Sequence, residues 1–110
     1  MNYDIAERLI SNWGRGNRNV VLEIYIVGSR GVDRNEARNK KKSDLDLMVF
    51  VRSADEQEKW FQDLASIGLD TGILIHPLFI EEPERNAKLS INLYADMFAK
   101  GRKIFPEDHV

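Results

Sequence analysis

Apolar and polar residues alternate along this chain with two distinct periods. Tyr3, Ala6, Ile10 and Trp13 recur at steps of three and four, flanked by Ile5 and Leu9, and predict an amphipathic helix. Gly14-Arg15-Gly16-Asn17 ends it. Val20 to Val27, VVLEIYIV, is rich in β-branched residues and too short for a core helix, so it predicts a strand. Gly28-Ser29-Arg30-Gly31 follows directly, and Val32 to Lys42 then shows no apolar period and predicts a mobile loop. Asp44 to Val51, DLDLMVFV, predicts a second strand. Its alternation puts Leu45, Leu47, Val49 and Val51 on one face and Asp44, Asp46, Met48 and Phe50 on the other.

Ser53 with Glu56 three residues on has the form of a capping box. The helix behind it has Trp60, Phe61, Leu64 and Ala65 as its inner face and Gly68 as its stop. Gly72 to Ile80, GILIHPLFI, predicts a third strand, and Pro77, lacking an N–H, places it at a sheet edge or at a bulge. Pro83 suits the first turn of a last helix whose stripe is Ala87, Ile91, Tyr94 and Phe98, helped by Leu93 and Met97, with Gly101 closing it. Arg102 to Phe105 predicts a short final strand. The order helix, strand, loop, strand, helix, strand, helix implies an α/β chain of the α+β kind. Its twisted, mixed sheet would be covered by helices mainly on one face.

The chain has 110 residues, so residues 1–110 read as a single domain large enough to bury a core without staples. It holds 43% hydrophobic and 31% charged residues, the profile of a soluble globule. With no cysteine, disulfides and thiolate metal sites are excluded. No apolar run is long enough for a membrane helix, and the charged stretch Met1 to Ile10 does not read as a signal peptide. A cytoplasmic location is expected. A net charge of -2 supplies no global field for nucleic acid.

The chemistry concentrates at Asp44-Leu45-Asp46. Strand geometry sends both carboxylates to one face, about 7 Å apart at the backbone. Two like charges at the start of an apolar strand repel each other and resist desolvation. A divalent cation resolves that conflict, and magnesium prefers carboxylate, water and phosphate oxygens. Gly28 and Ser29, at the end of the preceding strand, suit a phosphate cradle of backbone N–H groups and a hydroxyl, and Arg30 adds a cation. A phosphate cradle beside a strand of metal ligands is a workable phosphoryl-transfer site.

Gly28-Ser29, a loop, and then Ser43-Asp44-Leu45-Asp46-Leu47 resembles the signature of the polymerase-β-like nucleotidyltransferases. The short chain and its ending, from a strand like Ile75 to Ile80 through a helix to Lys100-Gly101-Arg102-Lys103-Ile104-Phe105, resemble the minimal nucleotidyltransferases in particular. The resemblance runs from about Val20 to Phe105. It implies the nucleotidyltransferase fold and transfer of a nucleoside monophosphate, AMP from ATP, to a hydroxyl with pyrophosphate leaving. It gives Gly28 and Ser29 the phosphate-binding role, and Asp44 and Asp46 the role of holding Mg2+. Many minimal members resemble toxin–antitoxin antitoxins that pair with an all-helical HEPN partner, and some modify a tyrosine on it with AMP.

Two departures from that pattern matter. The loop before Asp44 is long and basic, with Arg34, Arg38 and Lys40 to Lys42. The family's third carboxylate sits near the position of His76, and no acid lies within Gly72 to Ile80, while Asp70 comes too early. His76 is a candidate general base, because histidine is the side chain that exchanges protons near neutral pH. Its rival role is an ordinary hydrogen-bonded histidine. Two functions follow: a nucleotidyltransferase acting on a partner's hydroxyl, or an antitoxin-like subunit that binds its partner without efficient chemistry. The basic loop as a nucleic-acid binder is the weakest option. The apolar last helix could bury against a second copy or against a partner.

Overall fold

The computed structural model describes residues 3–27 and 44–107. In chain order these form helix α1 (Tyr3–Gly16), strands β1 (Val21–Val27) and β2 (Asp44–Val51), and helix α2 (Gln57–Thr71). Strand β3 (Leu74–Glu81), a 3-10 turn (Glu82–Glu84), helices α3 (Arg85–Leu89) and α4 (Asn92–Ala99), and strand β4 (Arg102–Phe105) follow. The strands make a mixed sheet in the order β3-β2-β1-β4. β2 runs parallel to β3 and antiparallel to β1, and β1 runs antiparallel to β4. The parallel pair requires a crossover, and α2 provides it. Pro77 lies on β3, which pairs only with β2 among the described strands, so the missing N–H falls on an edge strand as expected.

The sheet is covered on both faces because its inner strand is apolar on both. Leu45, Leu47, Val49 and Val51 of β2 join Ile24, Ile26, Ala6, Ile10, Trp60 and Leu64 in one core under the long helices α1 and α2. Met48 and Phe50, on the opposite face, join Val27 and Ile80 beneath Leu89, Tyr94, Met97 and Phe98 from the short helices α3 and α4. Most helical residues therefore do lie on one face, but the second face is closed as well. Each fully buried Leu, Ile, Val or Phe contributes about 1.5–3 kcal/mol relative to leaving it exposed. β2, with six buried residues, is the stiff element from which Asp44 and Asp46 extend.

Several sequence expectations are corrected. Ser53 does not cap α2: it accepts the Asp55 N–H at 3.3 Å, and α2 starts only at Gln57 behind Glu56. The preceding backbone is held elsewhere, as Ala54 donates its N–H to Glu81 at 2.9 Å. Gly68 does not stop α2. The helix runs to Thr71 and ends at Gly72, which is left-handed with φ 73° and donates back to the Gly68 carbonyl. The third strand accordingly starts at Leu74. Phe61 and Ala65 are exposed rather than inward, although Phe61 packs edge-on against Phe79. The expected last helix is broken in two. Ile91 is extended (φ -79°, ψ 124°) and exposed, and the Ser90 hydroxyl donates to the Ala87 carbonyl at 2.6 Å. Ala87 is exposed as well.

Candidate functional site

The strand pairing assembles the site at one end of the sheet. Asp44 is the first residue of β2, and Asp46 lies two residues later on the same face. In the parallel register Asp44 stands opposite Leu74, and Asp46 opposite His76. On the other side of β2, Asp46 pairs with Val27, the last residue of β1. Asp46 is therefore flanked by His76 and by the end of β1, one strand spacing away on each side. Residues 28–30 follow Val27 in the chain; the proposed phosphate ligands Gly28, Ser29 and Arg30 lie outside the described residues, as does the basic stretch Val32 to Lys42.

His76 leans toward the first carboxylate: its Nε2 is 4.0 Å from Asp44 Oδ2. The His76 side chain is 51% exposed and that of Asp44 38%, so solvent reaches both. Leu74, on the same face, is also exposed. The apolar layer under α3 and α4 begins deeper, at Met48 and Leu78. Asp44 and Asp46 thus sit at the end of β2 that leaves the core, both partly buried.

The structure brings three of the expected residues together: Asp44, Asp46 and His76. Among the described residues no group of three His, Cys, Asp or Glu is arranged to hold a metal ion. Magnesium does not require such a cage, because one or two carboxylates plus water and substrate phosphates ordinarily complete its shell. Asp44 and Asp46 are hard oxygen donors on one strand face and fit that donor set. No acid stands opposite Asp46, since β3 presents His76 there.

Away from this end lies a second polar cluster that the sequence did not reveal. Arg85 donates to Glu23 at 2.6 Å, and the Tyr25 hydroxyl donates to the other Glu23 oxygen at 2.6 Å. Burial raises the Glu23 carboxyl, but the bonds from Arg85 and Tyr25 and the charges of Arg85 and Lys103 outweigh it, leaving the carboxyl below its usual range. Burial and then Glu23 push the Tyr25 phenol up. The Arg85–Glu23 contact spans 62 residues of sequence, so no local spacing signals it. On the β4 edge, a groove of about 460 Å³ is lined by residues including Arg8, Ser11, Lys103 and Glu107, none of them expected at the site. No helix among the described residues is long and apolar enough to cross a membrane. Comparison of the chain with protein-family models, curated proteins and solved structures finds no match.

Proposed function

We propose that this chain is a minimal nucleotidyltransferase of the polymerase-β-like kind that transfers AMP from ATP to a hydroxyl on a partner protein. The observation that carries this reading is the placing of Asp44 and Asp46 on one face at the end of a buried central strand, beside His76. A magnesium-bound triphosphate would offset the mutual repulsion of two carboxylates on that face. Mg2+, held by Asp44 and Asp46, would neutralise phosphate charge. The acceptor oxygen attacks the α-phosphorus as its bond to pyrophosphate breaks. His76 takes the proton that the hydroxyl loses. Gly28, Ser29 and Arg30 are the proposed contacts to the terminal phosphates. We assign the acceptor to a separate protein, of which an all-helical HEPN-type protein is the leading case.

A second reading is favoured by one observation: His76, not an acid, faces Asp46. In that reading the chain is an antitoxin-like subunit that binds its partner and turns over slowly or not at all. Mass spectrometry of the chain with ATP, Mg2+ and the product of a neighbouring gene that encodes an all-helical protein, where there is one, separates the two. A gain of one AMP on the partner, lost in Asp46→Asn, supports transfer. A tight complex without any gain supports the second reading and overturns the first.

A further inference from the structure

Helix α2 uses one of its sides to hold the fold. Trp60 and Leu64 are buried, and Ile67 packs against the same core. The opposite side faces outward with Phe61, Gln62, Ala65, Ser66 and Leu69, all exposed. These residues form two adjacent rows at steps of four, Phe61-Ala65-Leu69 and Gln62-Ser66, and none carries a charge. In a chain with 31% charged residues, the outer face of a surface helix is where charges are expected. Here it presents two large apolar side chains, Phe61 at 46% and Leu69 at 85% exposure, with the small Ala65 midway between them.

This face is complementary to itself. A rise of 1.5 Å per residue puts Phe61 about 6 Å to one side of Ala65 along the helix axis and Leu69 about 6 Å to the other. A second copy turned about a two-fold axis at Ala65 runs antiparallel, so Phe61 of each copy meets Leu69 of the other. Ala65 meets its own counterpart, and its short side chain lets the two helices approach to about 8 Å. Lys59 and Asp70, both exposed, lie three helical turns apart on one flank of α2, on either side of Ala65. The two-fold axis keeps that flank on one side, so Lys59 of each copy stands beside Asp70 of the other. Glu58 comes opposite Gly72, which has no side chain to oppose it. Opposite charges that match only in this antiparallel pairing single out the chain itself as the occupant. We infer that α2 is the contact of a symmetric homodimer. The contact is independent of the reaction assigned to the aspartate end of the sheet. One helix pair buries less than the roughly 800 Å² per partner of a standard interface, so the dimer is weak, with a Kd of about 10–100 μM.

Analytical ultracentrifugation from about 5 μM to about 1 mM tests the assignment. The mass of the unaltered chain should rise from one copy to two across that range. Leu69→Gln, at a side chain the fold leaves in solvent, should stay monomeric throughout. Lys59→Glu and Asp70→Lys should each weaken the dimer about tenfold, by setting like charges side by side, and the two together should restore it. The chain has no cysteine, so Ala65→Cys introduces a single thiol. With oxidised glutathione it should form a disulfide-linked dimer, whereas Asn86→Cys, exposed on α3 across the sheet, should not. A chain that stays monomeric at every concentration overturns the inference and leaves the face to a different protein. A dimer that survives Leu69→Gln and is not captured through Ala65→Cys overturns it as well, by placing the contact elsewhere. Failure of the paired charge exchange to restore the dimer overturns the antiparallel two-fold arrangement.

Discussion

Arg85 on α3 reaches Glu23 on β1, its Nη1 2.6 Å from Glu23 Oε2 and its guanidinium 4.2 Å from the centre of the Phe50 ring. The pair ties a five-residue helix, too short to persist alone, to the middle of the sheet. Both side chains are about three-quarters shielded, so removing either strands its partner. Arg85→Ala or Glu23→Ala should cost about 1–3 kcal/mol in urea unfolding, below the cost of breaking a fully buried pair.

The same pair makes a pH prediction. The Glu23 carboxyl lies lower in the folded chain than in the unfolded one. Its contribution is complete above the ordinary carboxylate range and is lost as the pH falls through the depressed folded value. Glu23→Gln should therefore flatten the acid limb of the stability profile, with little change of slope above pH 6. The Tyr25 phenol is raised, so its contribution holds below the ordinary phenol range and fades as the pH rises through the folded value. Tyr25→Phe should remove that alkaline slope. Unfolding midpoints from acid to alkaline pH measure both.

Helix α1 touches the sheet through a missing side chain. A Cβ on Gly14 would meet Ile24 Cδ1 at 2.8 Å and the Phe105 ring at 3.1 Å, both within the buried core. Gly14→Ala should destabilise by about 1–3 kcal/mol through overpacking. Gly16, two residues on, has nothing within 4 Å of such an atom. Gly16→Ala should be neutral or stabilise by up to about 1 kcal/mol, because the unfolded chain loses freedom. A similar shift in thermal midpoint for both variants would refute the close approach of α1 to β1.

At the site, magnesium should raise the thermal midpoint of the unaltered chain, because an ion that binds only the folded state stabilises it by mass action. Asp46→Asn should abolish that rise.

The position of His76 allows a gain-of-function test. It faces Asp46 one strand spacing away, where an acid would share the same ion. His76→Asp should tighten magnesium binding several-fold and raise AMP transfer if a missing third carboxylate limits the site. A drop in transfer with metal affinity unchanged would instead assign His76 the proton-accepting role. Parallel titration and transfer assays read the two outcomes.

Much of the architecture was legible because strand alternation is a local property. DLDLMVFV identified β2, its two faces and the position of both aspartates, and the β-branched run marked β1. Pro77, through the one hydrogen bond it cannot make, narrowed its strand to an edge or a bulge, and the strand order puts it at the edge among the described strands. Helix ends were less legible. Whether Gly68 or Gly72 closed α2 depended on how Gly68 packs: a Cβ there would stand 2.6 Å from the Ile73 carbonyl, so this glycine serves a close contact instead of a stop. The Ala87, Ile91, Tyr94, Phe98 stripe counted as one helix because periodicity ignores a break that keeps phase.

The chain's own order of residues thus determined which segments extend, which coil, and which face of β2 carries Asp44 and Asp46. Those features follow from side-chain direction and backbone sterics within a few residues. Only the tertiary structure decided that His76 stands opposite Asp46, that Arg85 binds Glu23, and that Gly101 packs closely against the end of β1. Each of these is a contact between distant segments. It depends on sheet register and on the crossover through α2, where slipping one residue would turn every side chain of a strand to the opposite face.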